Sequence, residues 1–234
     1  MIAVLDYGIG NLRSAEKALL RVGGDARLVT DPDEAAGASA VVLPGVGAFG
    51  PCAAALRRTG LDRAALDSIS RGIPFLGICI GFQLLYEGSE EDPGSSGLSV
   101  LGGTVRRLPP GVKHPQMQWN SIRRRRTAVR ETAEACREGG GGGTGGDSEG
   151  GGGGQPGLLA GLPEEPWVYF VHSFAPEMGD DVVATCDYGG DVVAAAERGT
   201  IWGTQFHPEK SGTTGLMMLA NFVHASKRFA GAGA

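Results

Sequence analysis

Cysteine is scarce in this chain. Four residues of 234 (Cys52, Cys79, Cys136, Cys186) include no C-x-x-C pair. That density and spacing exclude a disulfide framework and argue against a structural zinc site, which fits a reducing, cytoplasmic setting. Positive charge is also short: 21 Lys and Arg face 26 Asp and Glu, a formal net charge of −5. Nucleic acid is therefore not expected as a general partner. A basic leader and a long opening apolar segment are both missing, since Met1 runs straight into the buried-strand pattern Ile2-Ala3-Val4-Leu5. Neither a signal peptide nor a membrane span is expected. The length suits one domain, residues 1–234, able to bury a proper core.

Glycine, by contrast, is abundant and uneven. From Gly139 to Gly154, 12 of 16 residues are glycine, interrupted by Thr144, Asp147, Ser148 and Glu149. Such a segment buries too little apolar area to offset its backbone entropy, so a disordered insertion at about 127–158 is expected. The basic run Arg123 to Arg126 before it reads as a solvated strand end.

Outside that insertion the pattern alternates. Strands are predicted at 2–6, 26–30, 40–43 and 74–78, with helices at 11–22, around 51–71 and after Cys79. Further strands are predicted near 98–106, 167–172, 182–187, 191–197 and 200–206, then a closing helix near 212–229 with Ser211 or Thr213 as its cap. Early alternation implies an α/β fold: an open, mostly parallel mixed sheet with helices on both faces, the later strands adding an antiparallel portion. Sites in such sheets form at strand carboxyl ends.

Three motifs fall at such ends. Gly77-Ile78-Cys79-Ile80-Gly81 follows the apolar run Ile73-Pro74-Phe75-Leu76 and precedes a helical pattern, Phe82 to Glu87. A strand-to-helix turn with small flanking residues exposes a strained nucleophile, and free N–H groups at the helix start favour a thiolate. By itself the motif is equally a packing turn. Ile201 to Phe206 runs into His207-Pro208-Glu209-Lys210, and positions two apart on extended chain share a face. His207 and Glu209 can thus converge, with the carboxylate orienting the imidazole. Pro44-Gly45-Val46-Gly47-Ala48-Phe49 follows the strand Ala40-Val41-Val42-Leu43, and its glycines allow N–H groups to turn toward an oxyanion. A plain tight turn would use them equally well.

Together and in this order, Pro-Gly-Val-Gly, Gly-Ile-Cys-Ile-Gly-Phe-Gln and His-Pro-Glu-Lys resemble the class I (triad) glutamine amidotransferases. Asp6 to Leu12, Glu87 to Glu91, Met117 to Asn120 and Tyr169 to Ser173 resemble, more narrowly, the glutaminase subunits of imidazole glycerol phosphate synthase. The resemblance covers the chain except the insertion and implies a flavodoxin-like core. It implies a thioester mechanism on L-glutamine, with Cys79 as nucleophile, His207 as acid and base, and Glu209 as its orienter. Oxyanion donors would come from Ile80 and from the Val46–Gly47 region after a peptide rotation. Substrate contacts would come from Gly45, Gly47, Gln83, Glu91 and Ser173, with Glu91 on the α-ammonium. Neither cofactor nor metal is implied.

The implied partner is a (β/α)₈-barrel cyclase subunit in a heterodimer, contacted through Asn11, Trp119, Asn120, Tyr169 and Lys210. Ammonia passed to it would serve conversion of PRFAR to imidazole glycerol phosphate and AICAR, in histidine biosynthesis. One departure stands out: family members usually carry Pro-His-Met-Gly-Trp-Asn where this chain has Pro115-Gln116-Met117-Gln118-Trp119-Asn120. His172 matches a position beside the pocket and equally suits a satisfied structural histidine; His114 and His224 match nothing. Two other readings stay open at this level: a glutaminase feeding a different synthase, and a silent scaffold for its synthase.

Overall fold

The computed structural model describes residues 1–125 and 157–232. Its first half is built by alternation: β1 (Ile2–Leu5), α1 (Leu12–Arg21), β2 (Ala26–Val29), α2 (Pro32–Ala36), β3 (Ala40–Gly45), α3 (Phe49–Arg58), α4 (Leu61–Ser70), β4 (Phe75–Cys79) and α5 (Ile80–Gln83). β1, β3 and β4 are buried along their whole lengths, as expected of parallel strands covered on both faces. Their order, β2-β1-β3-β4, reverses direction after β2. Right-handed crossovers then put α1 on one face and the following helices on the other. Accordingly α1 packs with the closing helix α6 (Gly212–Ala232), while α2, α3 and α4 pack together.

The remaining strands are β5 (Gly88–Ser89), β6 (Thr104–Arg107), β7 (Gln116–Ser121), β8 (Arg123–Arg124), β9 (Trp167–His172), β10 (Phe174–Pro176), β11 (Val182–Asp187), β12 (Asp191–Arg198) and β13 (Ile201–Thr204). β13 returns to lie parallel to β4, and β12, β11 and β8 extend the sheet antiparallel to eight strands. The expected mixed sheet is thus present. β7 and β9 form a separate two-stranded ribbon, and β10, β6 and β5 a small third sheet.

Several expectations need correction. The helix after Cys79 is a single turn, because the carbonyls of Leu84 and Leu85 accept from Leu98, Val100 and Leu101 instead of continuing a helix. The segment 98–103 makes those bonds, so the strand expected near 98–106 is only Thr104–Arg107. The helices expected around 51–71 are present as two, meeting at Gly60, which has φ 75°. β7 went unpredicted because its exposed face carries Met117 and Trp119 and breaks the alternation. Ser211 does not cap α6 with its side chain; that oxygen bonds elsewhere.

Most of the expected insertion lies outside the described residues. At its far edge the expected boundary moves: Leu158 is buried, its N–H donates to Glu197 and its carbonyl accepts from Asn221. The basic run holds the sheet edge, with Arg123 on Asp191 and Arg124 on the carbonyls of Leu159 and Leu162. Gln118, where the family carries glycine, sits in regular β7 opposite Phe170 and needs no left-handed backbone. No helix among the described residues is long and apolar enough to cross a membrane.

Candidate active site

Cys79 ends β4 with φ 56° and ψ −112°, a conformation that non-glycine residues rarely adopt. Close packing around the turn enforces it. An added methyl on Gly81 would collide with the Leu43 carbonyl, and one on Gly77 would sit 2.8 Å from the Gly81 carbonyl oxygen. The sulfur is buried yet opens onto a cavity of about 240 Å³.

His207 follows β13, the parallel neighbour of β4, and lines the same cavity. Its Nδ1–H donates to Glu209 Oε1 at 2.7 Å, with both side chains almost fully buried. The convergence differs from the extended-chain expectation. Residues Pro208–Lys210 form a 3₁₀ turn, and that turn, not a continued strand, swings Glu209 back beneath the ring. Burial opposes protonation of His207, but adjacent Cys79 and Glu209 override it and lift the imidazole to about 10. Nε2 bonds to no nitrogen or oxygen, and Cys79 is the foremost of the groups that raise the imidazole. The arrangement is therefore a buried sulfur beside an imidazole that favours its charged form, with a carboxylate behind the ring.

Sequence reasoning missed Gln205. Its Nε2 lies 3.9 Å from Cys79 Sγ, and its Oε1 accepts from Gln83 Nε2 at 3.0 Å. Alternation offered a signal, because Gln205 lies two residues before His207. Gln83 lines the cavity, as expected, but spends its amide N–H groups on Gln205 and the Phe174 carbonyl; only Oε1 is left without a partner.

The glycine loop leaves β3 beside the elbow and lines the cavity through Val46 and Gly47, the latter with φ 97°. Two buried side chains that the sequence did not single out hold this loop. Tyr7 donates to the Pro44 carbonyl at 2.7 Å, and Cys52 donates through sulfur to the Val46 carbonyl at 3.3 Å. Burial pushes the Cys52 thiol up to about 11, which keeps it a donor at neutral pH, and raises Tyr7 as well. Ile80, Glu91 and Ser173 line the cavity, whereas Gly45, expected as a substrate contact, does not. Glu91 accepts from the Phe49 N–H at 2.8 Å.

His172 also lines the cavity, with Nδ1–H donating to the Phe174 carbonyl at 2.9 Å. Burial lowers it to about 4, so the ring is neutral at physiological pH. The expected partner contacts lie outside the cavity. Trp119, 47% exposed, packs edge-on to Tyr169 at 6.1 Å across the ribbon, and Lys210 is exposed. Asn120 is tied to the Asp187 carbonyl, and Asn11 accepts from Ser14 at the start of α1.

Comparison with known proteins gives the family. The family model for glutamine amidotransferase class I matches residues 3–226. "Imidazole glycerol phosphate synthase subunit HisH" of Methanothermobacter thermautotrophicus is 44% identical over 224 residues, covering 95% of this chain and 98% of that protein. The protein of the same description from Moorella thermoacetica is 40% identical over 235 residues, covering 99% and 98%. Among solved structures, a glutamine amidotransferase matches with TM-score 0.67 at 20% identity, over 97% of this chain and 98% of that one. PurLQS from Thermotoga maritima matches with TM-score 0.64 at 18% identity, over 98% of each. At those identities the two structures speak for the fold alone.

Proposed function

The chain belongs to the class I glutamine amidotransferases and, within them, to the glutaminase subunits of imidazole glycerol phosphate synthase, and on that premise we propose that Cys79, His207 and Glu209 carry its chemistry. It is a glutaminase of histidine biosynthesis, acting on L-glutamine alongside a cyclase subunit. Cys79 as thiolate attacks the side-chain amide carbon, and the C–N bond breaks as His207 protonates the departing ammonia. His207 then takes a proton from water, which cleaves the thioester to glutamate and restores the thiol. Glu209 holds the ring in the tautomer that presents Nε2 to both steps.

Negative charge on the tetrahedral oxygen falls to the amides of Ile80 and the Val46–Gly47 region. Gln83, with one free acceptor, Ser173 and Glu91 receive the polar ends of glutamine, and Gly45 keeps the loop close to the elbow. The ribbon bearing Trp119, Asn120 and Tyr169, with Asn11 and Lys210, docks a (β/α)₈-barrel cyclase in a heterodimer. Ammonia then passes into that barrel for conversion of PRFAR to imidazole glycerol phosphate and AICAR. A single domain spanning the chain suffices for these roles.

One observation carries the reading: Cys79 at a left-handed elbow lines one cavity with His207, which Glu209 holds at 2.7 Å from behind. The deciding assay is glutamine hydrolysis by this chain with and without a cyclase barrel and its nucleotide ligand. Stimulation by the matched barrel is expected, together with loss of all activity in Cys79→Ala. Activation by an anthranilate synthase partner instead would redirect the assignment.

A further inference from the structure

Ser211 lies outside the catalytic trio, yet its hydroxyl joins two segments distant in sequence. It is 1% exposed, donates to the His207 carbonyl at 2.6 Å and accepts from the Tyr169 N–H at 3.0 Å. The His207 N–H donates to the Tyr169 carbonyl at 3.1 Å. Both main-chain groups of Tyr169 are thus spent on the catalytic turn, one directly and one through Ser211. Tyr169 belongs to a ribbon that, among the described residues, shares no backbone ladder with another strand. The face of that ribbon that bears the Tyr169 side chain also carries exposed Met117, Trp119 and Trp167.

We infer that Ser211 is a positioning residue for His207: by bridging the His207 carbonyl and the Tyr169 amide, it seats the histidine main chain against the ribbon and sets the approach of the imidazole to Cys79. The inference deepens the glutaminase reading and rests on it. Its physical basis is the backbone count. Without the hydroxyl, the part-buried Tyr169 N–H loses its partner, and the His207 carbonyl keeps only the Lys210 N–H at 3.0 Å. The turn then has freedom to shift, and misplacement of a reacting group by an ångström can cost about 10²-fold in rate. Glu209 sits on the same turn, so the imidazole and its orienter move together.

The test uses the full chain bound to a cyclase barrel, comparing wild type, Ser211→Ala and Ser211→Thr. Two readouts are taken: kcat and KM for glutamine, and the pH dependence of iodoacetamide alkylation at Cys79, followed on its peptide by mass spectrometry. Ser211→Ala is expected to lower kcat about tenfold with KM within about twofold, as expected for mispositioned acid–base machinery. Its alkylation midpoint should rise as the imidazolium withdraws from the sulfur, and Ser211→Thr should restore both. Wild-type kcat and midpoint in Ser211→Ala would overturn the inference, as would a fall in melting temperature alone. Should Ser211→Ala fail to fold, Ser211→Cys, close in size with a weaker donor, gives the same comparison. Absence of glutamine hydrolysis in the wild-type complex would overturn the glutaminase reading instead, while the alkylation midpoints would still judge Ser211.

Discussion

Gly45 and Cys79 are register partners in the parallel pair β3 and β4, so the glycine loop and the nucleophile leave the sheet side by side. A methyl on Gly45 would lie 2.8 Å from the Gly81 nitrogen, 2.8 Å from the Tyr7 hydroxyl and 2.9 Å from Ile80 Cβ. Two of these neighbours belong to the elbow itself. Gly45→Ala should therefore push loop and elbow apart. Glutamine hydrolysis in the cyclase complex is expected to fall about 10²-fold, the usual effect of a lost oxyanion donor. Stability should fall by about 1–3 kcal/mol from overpacking, measured by urea unfolding.

Replacing the orienting carboxylate gives a second outcome. Glu209→Gln keeps the shape at the 2.7 Å contact but removes the charge that helps hold His207 protonated. An amide can also offer N–H toward Nδ1 and select the wrong tautomer. Steady-state assays should find kcat reduced about 10²-fold, within the usual span for disabled acid–base catalysis, with KM for glutamine little changed.

The Cys52 thiol offers a milder test. It anchors the Val46 carbonyl at 3.3 Å from a fully buried position on α3. Cys52→Ala removes the donor, and Cys52→Ser supplies a stronger one. Hydrolysis in the complex should fall a few-fold in Cys52→Ala, consistent with loss of one weak bond of about 1 kcal/mol. Cys52→Ser should stay near wild type, and identical rates for all three would show that the thiol has no hold on the loop.

The two cavity histidines pull stability in opposite directions with pH. His172, lowered by burial to about 4 from an ordinary 6.5, binds its proton more readily in the unfolded chain. Its contribution is complete above about 6.5 and is lost as pH falls toward 4. His207, raised to about 10, contributes fully below 6.5 and loses that contribution as pH climbs toward 10. Unfolding free energies across pH 4–10 should accordingly show a shallower acid limb in His172→Gln and a shallower alkaline limb in His207→Gln.

Trp119 is almost half exposed and braced edge-on by Tyr169, an anchor geometry suited to an interface. Trp119→Ala should weaken association with the cyclase barrel by about thirtyfold, in line with hot-spot losses near 2 kcal/mol, with the melting temperature preserved. Calorimetric titration of one subunit into the other would measure it, and unchanged affinity would remove Trp119 from the interface.

Much of this was legible in the chain. The buried runs at β1, β3 and β4 announced parallel strands because a doubly covered strand needs apolar residues at every position. Cys79, with glycines two residues to either side, announced an elbow because only small neighbours tolerate that packing. Other features lacked local signals. β7 alternates poorly because its exposed side carries Met117 and Trp119, and α5 stops after one turn because the segment 98–103 takes the carbonyls a longer helix would need. Gln205 looks like any strand polar residue until Gln83 and Cys79 are brought beside it.

Local chemistry singled out a candidate nucleophile, a candidate base and the carboxylate two positions on, since residue type and backbone tolerance are properties of short segments. Only the folded chain decided how they meet. A 3₁₀ turn, not an extended strand, brings Glu209 under His207, and Tyr7, Cys52 and Ser211 gain roles from carbonyls and amides of residues remote along the polymer. The reason is that a buried backbone group must find some partner. Which partner it finds depends on segments that become neighbours only when the sheet is complete.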